Sequence, residues 1–342
     1  MRKEKVLIIG GSGFIGHNLA IQLCKNYEVT VVDSFDVNNI KSFRSKISND
    51  QNSFYLKILK ERIKLLKDNN VKIYNQDARN YKKISKLVDK INPNYFFHLA
   101  AVAHANVSNK NPFSTFDNSV RTLENSLDAS RSLKELKRFF YLSSSMLYGQ
   151  FKKSSVNENT ICEPLGIYGA LKFAGEKMVI GYNQVFKTPY TIIRPSALYG
   201  ERCVSRRVIQ IFIESALKGE PILVNGNGKE KLDFTYIGDL INGMVKMMKS
   251  SKSKNQIFNL TYGKSRSILE LIEILRKYFP NLKTKIIKRD KLMPIRGTLS
   301  MNKAKKLVNF SSEYNLEKGL KRMINWYRQK ENEKYFISKN SK

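Results

Sequence analysis

Residues 6–20 read VLIIGGSGFIGHNLA, and this stretch decides the fold. An apolar run typical of a buried parallel strand leads into glycines 10, 13 and 16, and a helix-like run follows them. The first glycine permits a tight turn, the second lets backbone approach a pyrophosphate, and the third allows close packing of helix on strand. The helix N-terminus then presents unpaired N–H groups to the phosphates. We therefore predict a dinucleotide-binding turn with these cofactor contacts: Gly10, Gly13, Phe14, Ile15 and Gly16.

An acidic residue follows at the distance that such a turn requires. Asp33 ends the second apolar run, VTVVD at 29–33. A carboxylate there accepts hydrogen bonds from the adenosine ribose and repels a 2′-phosphate, so the sequence predicts NAD rather than NADP. Asp77, after the third run, is a further cofactor candidate at the adenine edge, and a helix N-cap is its alternative role.

Short apolar runs alternate with helix-like stretches through the first half of the chain. Such alternation predicts βαβ units of class α/β, in which a doubly wound parallel sheet forms a Rossmann domain. The predicted strands are 5–9, 29–33, 71–74, 95–99, 139–143 and 190–194, and the clearest helices are 14–24, 81–91 and 119–132. The segment 35–70, which holds the helix-like ILKERIKLL, is predicted to be a surface elaboration.

The alternation loosens after residue 195. Helices at 207–218 and 268–278 mix with short strands and glycine turns. We interpret 196–330 as a smaller, mixed α/β substrate-binding lobe beside a cofactor domain at 1–195, which segments near 233–263 rejoin. A last amphipathic helix is predicted at 325–334, and 331–342 form a basic tail.

The composition excludes several classes of protein. The 342 residues are 42% hydrophobic, enough for a core, and carry a net charge of +32. No nucleic-acid motif accompanies that charge, so scattered basic residues on solvated faces explain it better than a nucleic-acid partner does. Attraction of a phosphorylated substrate is the alternative explanation of the charge.

Three dispersed cysteines cannot form a disulfide framework, and they predict a cytoplasmic protein. The three dispersed histidines and the cysteines show no spacing typical of a metal site. No apolar run approaches the roughly 20 residues of a membrane helix.

Tyr168 and Lys172 form the YxxxK pair whose setting suits catalysis. They lie in GIYGALKFAGEKM at 166–178, which can form one continuous helix, and residues i and i+4 share a helix face. A neighbouring ammonium stabilises the phenolate that a tyrosine base must form. At the end of a predicted strand, LSSSMLYG at 142–149 supplies serines for the reacting oxygen.

Together these motifs resemble the extended short-chain dehydrogenase/reductases that act on nucleotide sugars, most closely the sugar 4-epimerases. The resemblance covers essentially the whole chain and rests on GGSGFIG (10–16), FFHLAA (96–101), YLSSSMLYG (141–149), YGALK (168–172), TIIRPSALYG (191–200) and LDFTYIGDL (232–240). It implies that Ala100 and Ala101 line NAD, and that His98 only packs at a strand end. It also implies that Ser144 contacts the sugar oxygen, that Tyr168 is the acid/base, and that Lys172 binds the nicotinamide ribose beside Tyr168.

Departures from the family's motifs reduce the number of reactions that the chain is expected to catalyse. Dehydratases resemble STDEVYG, with an Asp–Glu pair where this chain has Ser145 and Met146, and uronic acid decarboxylases carry Glu at the Met146 position. The resemblance therefore favours 4-epimerisation, in which Tyr168 takes the 4-hydroxyl proton and hydride leaves C4 for NAD and returns to the opposite face. A 4-dehydrogenase or 4-ketosugar reductase is the close alternative. A decarboxylase, a dehydratase and a non-catalytic NAD-binding protein are less favoured.

Basic residues are the candidates for binding the diphosphate of a nucleotide sugar. Many relatives carry Arg where Leu232 stands, so another residue must supply that charge. Arg296 in MPIRG (293–297) matches a diphosphate-binding position of the family, and a guanidinium suits two phosphate oxygens. The other candidates for this charge are Lys231, Arg202, Arg206 and Arg207, and the remaining substrate-binding candidates are Ser144 and Ser145.

The resemblance also implies an assembly. Relatives pair through two long helices, which correspond to 119–133 and 168–183 here. Apolar residues recur in both stretches. We therefore expect a homodimer.

Overall fold

The computed structural model describes residues 3–44, 50–290 and 292–336. Within these ranges seven parallel strands form the central sheet. We label them β1 to β7 in chain order: Lys5–Ile9, Glu28–Asp33, Lys72–Asn75, Tyr95–His98, Arg138–Leu142, Tyr190–Arg194 and Gln256–Asn259. The first six agree with the predicted strands to within one residue at each end.

The strands lie in the order β7-β6-β5-β4-β1-β2-β3. The chain winds outward from β1 through β2 and β3, returns to β4 and winds outward in the other direction, which confirms the doubly wound α/β fold. In such sheets a ligand crevice forms at the carboxyl ends of the strands where the order reverses. Ile9, the last residue of β1, pairs with Val32 of β2 and His98 of β4, so the glycine turn leaves the sheet at that reversal.

Helices cover both faces of the sheet. Within the described ranges, α1 to α14 span Phe14–Leu23, Ile40–Arg44, Asp50–Asp68, Tyr81–Ile91, Ala105–Lys110, Pro112–Phe116, Thr122–Ser130, Gly166–Phe186, Val208–Leu217, Ile237–Lys249, Ile268–Arg276, Asn302–Val308, Leu316–Tyr327 and Lys330–Glu333. Apolar side chains of α1, α3 and α10 pack in one core, and those of α4, α7 and α8 pack in the other. Over the described residues, no helix combines the length and apolar character needed to cross a membrane.

Short strand pairs lie outside the central sheet, and most of their strands come after β6. Leu198–Tyr199 pairs with Thr235–Tyr236, Ile222–Asn225 with Thr284–Ile287, Lys231–Leu232 with Arg266–Ser267, and Ser155–Val156 with Thr298–Leu299. The buried Asp233 joins these segments, because its carboxylate accepts hydrogen bonds from Thr261 Oγ1 and from the N–H groups of Gly263 and Leu299, each at 3.0 Å. These bonds fix the segment that carries Arg296 against the rest of the fold.

The segment after β2 belongs to the core and is not a surface elaboration. Six of the described side chains of α3 are at most 1% exposed: Phe54, Tyr55, Ile58, Leu59, Arg62 and Leu66. The Phe54 ring packs against Trp326 of α13, with 5.9 Å between ring centroids. The expectation was wrong because the partner of α3 lies far along the chain, where local sequence gives no sign of it.

The last long helix begins earlier than predicted. α13 spans Leu316–Tyr327 and the short α14 follows it, where the sequence predicted one helix at 325–334. Asn315 caps α13, since its side chain accepts a hydrogen bond from the Lys318 N–H at 2.8 Å. An N-cap residue at this boundary was the missed signal. Residues 337–342 of the predicted tail lie outside the described residues.

Candidate active site

A cavity of about 620 Å³ opens along the carboxyl ends of the strands. The glycine turn, the loop after β5 and residues from the second half of the chain all contribute to its wall. These sequence-predicted residues meet in its wall: Gly10, Gly13, Phe14, Ile15, Gly16, Asp33, Asp77, Ala100, Ala101, Ser144, Ser145, Tyr168, Lys172, Arg206, Arg207 and Arg296. The fold thus gathers nearly every candidate into one site.

Two candidates, Lys231 and Arg202, lie outside the cavity wall. Lys231 lies in the short strand that pairs with Arg266–Ser267. Arg202 is bound by other residues of the protein. Its Nε donates to Glu61 Oε1 at 2.7 Å, and its backbone carbonyl accepts a hydrogen bond from Arg62 Nε at 3.1 Å. The Arg202 charge is therefore paired with a carboxylate of α3 rather than presented to a ligand.

The glycine turn is packed too tightly for side chains at Gly10, Gly11 and Gly16. A Cβ on Gly10, whose φ is +78°, would lie 2.8 Å from the Ala100 backbone nitrogen, and one on Gly16 would lie 2.5 Å from Gly11 Cα. A Cβ on Gly13 would meet only the Gly10 carbonyl oxygen, at 3.1 Å, among the described atoms. No described side chain caps the N-terminus of α1. The turn therefore presents bare backbone and a helix N-terminus to the cavity, which suits an anionic group.

Asp33 is held against this turn by hydrogen bonds. Its Oδ2 accepts from the Ser12 N–H at 3.1 Å, and its Oδ1 accepts from the Phe35 N–H at 2.8 Å. Burial raises the pKa of Asp33, and these hydrogen bonds oppose that effect. The carboxylate is fixed at the end of β2 and still lines the cavity.

Arg62 is a cavity residue that the sequence did not single out. Its guanidinium carbon lies 6.0 Å from the centroid of the Phe14 ring, and its guanidinium donates to the Arg202 carbonyl. Burial lowers the pKa of Arg62 to about 10. Its only sequence signal was a charged residue on the apolar face of α3, and that face could be recognised only once its buried partners were known.

Helix α8 carries Tyr168 and Lys172 into the same cavity. Lys172 Nζ donates to the Leu142 carbonyl at 2.7 Å and lies 5.1 Å from the centroid of the Tyr141 ring. Burial lowers the pKa of Lys172 to about 8, although the Glu176 carboxylate opposes this. The ammonium is thus held between α8 and the last residue of β5.

The loop that carries Ser143, Ser144 and Ser145, here called the serine loop, begins directly after Leu142, the last residue of β5. Ser144 Oγ accepts a hydrogen bond from the Met146 N–H at 3.2 Å, and the Ser145 N–H donates to the Pro195 carbonyl at 2.9 Å. Ser143 Oγ is buried and has no partner among the described residues. A serine hydroxyl that accepts one hydrogen bond still has its own proton to donate, so Ser144 can bind an oxygen in the cavity.

A buried ion pair braces α8 one turn beyond Lys172. Arg194 of β6 donates two hydrogen bonds to Glu176, at 2.9 and 2.6 Å. Arg194 Nη1 also donates to the Tyr148 hydroxyl, which donates to Asn259 Oδ1, each at 2.8 Å. The network ties α8 to β6, to the end of the serine loop and to β7. Charged residues inside otherwise apolar elements were its only sequence signal.

Arg207 and Arg296 reach the cavity from separate segments. Arg207 Nη2 donates to the Ala103 carbonyl at 3.3 Å. Burial, together with the Arg207 charge, lowers the pKa of Arg296 to about 10. The Nε atoms of both arginines are buried without a partner among the described residues. Both side chains can therefore donate hydrogen bonds to an anionic ligand.

The histidines do not form a reactive cluster. His98 is buried, its Nδ1 lies 3.0 Å from Ser126 Oγ, and burial together with the Lys172 charge lowers its pKa to about 3. His98 is accordingly neutral. In the part of the chain that the structure describes, no group of three or more His, Cys, Asp or Glu side chains could hold a metal ion.

Known proteins resemble this chain along most of its length. Residues 6–261 match the NAD dependent epimerase/dehydratase family. A UDP-glucuronate 4-epimerase of Thermodesulfobacterium geofontis is 28% identical over 326 residues, which are 94% of this chain and 95% of that protein. A dTDP-D-glucose 4,6-dehydratase of Dictyostelium discoideum is 27% identical over 272 residues, 75% of this chain and 58% of that protein.

A solved structure shares the whole fold. The UDP-glucuronic acid 4-epimerase of Bacillus cereus, in complex with UDP-glucuronic acid and NAD, superposes with a TM-score of 0.85 at 27% identity. The match covers 94% of this chain and 98% of that one. Since the relatives include both 4-epimerases and a dehydratase, likeness alone does not select the reaction.

Proposed function

Because the chain belongs to the NAD dependent epimerase/dehydratase family, we propose that it is a nucleotide-sugar 4-epimerase. One observation carries the proposal. Ser144, Tyr168 and Lys172 line the same cavity as the glycine turn, while Ser145 and Met146 stand where the resemblance places the dehydratase acid and base.

The cavity residues fit a bound dinucleotide. The bare backbone around Gly13 and the uncapped N-terminus of α1 suit a pyrophosphate, and the fixed carboxylate of Asp33 suits the adenosine ribose. Bound NAD would supply the acceptor, and then the donor, of hydride at C4. The residues proposed to hold it are Gly10, Gly13, Phe14, Ile15, Gly16, Asp33, Asp77, Ala100, Ala101, Tyr168 and Lys172.

The chain's own residues move the proton of the reaction. The Ser144 hydroxyl donates to the 4-oxygen of the sugar and fixes its position. The Tyr168 phenolate takes the 4-hydroxyl proton as hydride leaves C4, and it returns that proton to the same oxygen when hydride comes back. The Lys172 ammonium, held by the Leu142 carbonyl, stabilises the phenolate between these steps.

Inversion at C4 requires the 4-ketosugar to turn while its nucleotide stays bound. Arg207 and Arg296 are the proposed anchors, because a guanidinium donates two parallel hydrogen bonds to phosphate oxygens. Their buried Nε atoms, which have no partner among the described residues, support this role. The substrate is accordingly proposed to be a nucleotide-diphosphate sugar.

Met146 disfavours the other reactions of the family. A thioether neither gives nor takes a proton, so elimination of water would lack the acid–base pair that the resemblance assigns to dehydratases. The glutamate that the resemblance assigns to decarboxylases is absent from this position as well. Reversible oxidation at C4 needs neither group.

The proposal extends to assembly and location. A homodimer through α7 and α8 is supported by the exposed small side chains of Ala170 and Ala174 on α8. A cytoplasmic location is supported by the free thiols of Cys24, Cys162 and Cys203.

A panel of nucleotide sugars tests the function. Purified protein, without added cofactor, is incubated with UDP, GDP, dTDP and CDP sugars and followed by NMR. We expect one of them to give its 4-epimer until equilibrium. A lasting 4-keto product with stoichiometric NADH, or the need for a second oxidant, would favour the dehydrogenase or reductase instead.

A further inference from the structure

The loop at residues 202–207 has a strained backbone at two positions. It follows the short strand Leu198–Tyr199 and leads into α9, and its residues 204–207 line the cavity. Arg202 and Arg206 have φ values of 64° and 49°, in the left-handed region that residues with a Cβ seldom adopt. A backbone strained in this way keeps its shape only where neighbouring groups hold it, and such strain is concentrated at functional sites.

Helix α3 holds the 202–207 loop at its first strained residue. Arg62 Nε donates to the Arg202 carbonyl at 3.1 Å, and Arg202 Nε donates to Glu61 Oε1 at 2.7 Å. Arg62 and Glu61 both belong to α3, which packs in the core. This end of the loop is therefore fixed, but Arg62 also lines the cavity and can contact a ligand itself.

Gln210 holds the loop at its second strained residue. Its Oε1 accepts a hydrogen bond from the Arg206 N–H at 2.9 Å. Gln210 is the third residue of α9, a position from which a glutamine side chain can reach back to the backbone at the start of the helix. Its side chain is 1% exposed and is not part of the described cavity wall. Gln210 can therefore affect a ligand only through the loop that it holds.

A buried carboxylate fixes the orientation of the Gln210 amide. Gln210 Nε2 donates to Glu214 Oε1 at 2.8 Å, and the Tyr327 hydroxyl donates to the same oxygen at 2.9 Å. The other oxygen, Glu214 Oε2, accepts from the Tyr55 hydroxyl at 2.6 Å and from Gln51 Nε2 at 2.8 Å. An ionised carboxylate only accepts hydrogen bonds, so the amide nitrogen of Gln210 must face it and the amide oxygen is left for the loop. Residues of α3 and α13 thus determine which end of this amide the loop meets.

Arg207 comes directly after the residue that Gln210 holds. It is the N-cap residue of α9, and its Nη2 donates to the Ala103 carbonyl at 3.3 Å. Its Nε is buried without a partner among the described residues. The direction of this guanidinium depends on the backbone at 206 and 207, so a loop that relaxed its strain would turn it away from the cavity.

We propose that Gln210, oriented by Glu214, is a positioning residue for nucleotide-sugar binding. It holds the 202–207 loop in the strained shape that presents Arg207 to the diphosphate. The inference rests on the proposed function, because it takes Arg207 as a diphosphate anchor.

Gln210→Leu tests the positioning role without changing the cavity wall. The unaltered protein is titrated calorimetrically with UDP, GDP, dTDP and CDP, and the variant is compared on the nucleotide that binds most tightly. We expect the variant to bind it about 10-fold more weakly, because only the fraction of molecules that keeps the strained loop is competent to bind. The affinity for NAD should stay the same, since the glycine turn is not part of this loop.

Three results of this titration would overturn the inference. They are an unchanged nucleotide affinity in Gln210→Leu, an equal loss of affinity for NAD, and no binding of any of the four nucleotides by the unaltered protein at millimolar concentration. If Gln210→Leu does not fold, Gln210→Asn replaces it, because a side chain one methylene shorter cannot reach both Arg206 and Glu214.

Kinetics with the epimerised sugar provide a second readout. Gln210→Leu should raise KM about 10-fold and leave kcat within about twofold, because the loop contributes binding and not proton transfer. A lower kcat with an unchanged KM would contradict a role in binding.

Tyr327→Phe is the matched control. It removes a hydrogen bond to the same Glu214 oxygen but leaves the bond between Gln210 and Glu214 in place. We expect lower stability in urea unfolding and an unchanged nucleotide affinity. An equal loss of nucleotide affinity in this variant would mean that any loosening of the buried network has the effect, and the inference would fail.

An exchange of the two side chains tests the hydrogen bond itself. Gln210→Glu combined with Glu214→Gln places a carboxylate at position 210, which can accept from the Arg206 N–H, and an amide at position 214, which can donate to that carboxylate. The double variant should bind the nucleotide more tightly than Gln210→Leu does. A folded double variant that binds as weakly as Gln210→Leu would contradict the positioning role.

Binding and turnover separate this inference from the proposed function. If Gln210→Leu weakens nucleotide binding but the unaltered protein forms no 4-epimer, the positioning role stands and the epimerase proposal fails. If the unaltered protein forms a 4-epimer and Gln210→Leu keeps its nucleotide affinity and KM, the epimerase proposal stands and the positioning role is wrong.

Discussion

Lys172 connects two parts of the site that are distant in sequence. Its Nζ, on α8, donates to the carbonyl of Leu142, the residue that precedes the serine loop. Its side chain is only 6% exposed, so its ammonium is partly desolvated and interacts strongly with nearby charges. Tyr168, four residues earlier on α8, lines the same cavity as Lys172.

The lowered pKa of Lys172 makes stability depend on pH. The unfolded chain keeps this proton up to about pH 10.5, whereas the folded chain releases it near pH 8. Between these values the unfolded state binds more protons, so the free energy of unfolding rises with pH. Relative to Lys172→Met, we expect a rise of about 2 kcal/mol between pH 8 and 9.5, measured by urea unfolding of both proteins. The same pH dependence in both proteins would contradict the burial of this ammonium.

Tyr168→Phe tests the assignment of the base. Loss of the hydroxyl removes the proton acceptor but keeps the ring, so we expect retained NAD binding and turnover lowered by about 10²- to 10⁴-fold. Fluorescence of bound NADH and NMR of the sugar measure the two effects. Tyr182→Phe is the control, because Tyr182 lies on the same helix but outside the cavity wall. Its turnover should be near that of the unaltered protein. Near-normal turnover of Tyr168→Phe would refute the role.

Single residues were predictable where a local motif fixes them. The glycine turn, Asp33 and the Tyr168–Lys172 pair each depend on spacing within one strand, turn or helix. Arg62 and the Glu176–Arg194 pair were not predictable, because their roles depend on neighbours brought from other elements. Arg202 was predicted to bind substrate, but its guanidinium forms an ion pair with Glu61 of α3 instead.

Helix α8 lies close to β5 because residue 175 is a glycine. A Cβ on Gly175 would come within 2.2 Å of the Tyr141 hydroxyl oxygen and 3.0 Å of Leu123 Cδ2. We expect Gly175→Ala to lower the free energy of unfolding by about 1–3 kcal/mol. Turnover should also fall, because displacement of α8 moves Tyr168 and Lys172.

Gly181→Ala is the matched control on the same helix. A Cβ there meets no described atom within 4 Å, so the variant should gain up to about 1 kcal/mol from helix propensity and keep its turnover. Urea unfolding and NMR rates compare the two variants. Similar stability changes in both would argue against close packing at Gly175.

Whole elements were predictable when their own pattern sufficed. The strands of the first half agree to within one residue, because each is a short apolar run bounded by polar residues or turns. α3 and α13 were misjudged, because Phe54 and Trp326 bury each other across most of the chain length. Contacts of that kind leave no trace in a local window of sequence.

The whole molecule is expected to be a homodimer that pairs through α7 and α8. Light scattering should give twice the chain mass of 39.5 kDa. Ala174→Glu places a charge on the exposed face of α8 and should give the monomer mass, because like charges would meet at the interface. A monomer mass for the unaltered protein would contradict the expected assembly.

The doubly wound sheet was predictable from the sequence, whereas the division into two domains remains a prediction. Alternating strands and helices indicated a doubly wound sheet, which the strand order confirms. The later strand β7 pairs with β6, so residues from both halves of the chain share one sheet. The predicted boundary at residue 195 therefore does not separate two independently packed sheets.

Deuterium at C4 of the sugar tests the proposed reaction most directly. UDP-glucose and UDP-glucuronic acid labelled at C4 are incubated with purified protein without added cofactor, and the products are analysed by NMR and mass spectrometry. We expect a 4-epimer that retains deuterium at C4, because hydride leaves and returns to the same carbon within one site. An epimer whose C4 carries hydrogen from solvent would contradict the reaction assigned to Ser144, Tyr168 and Lys172.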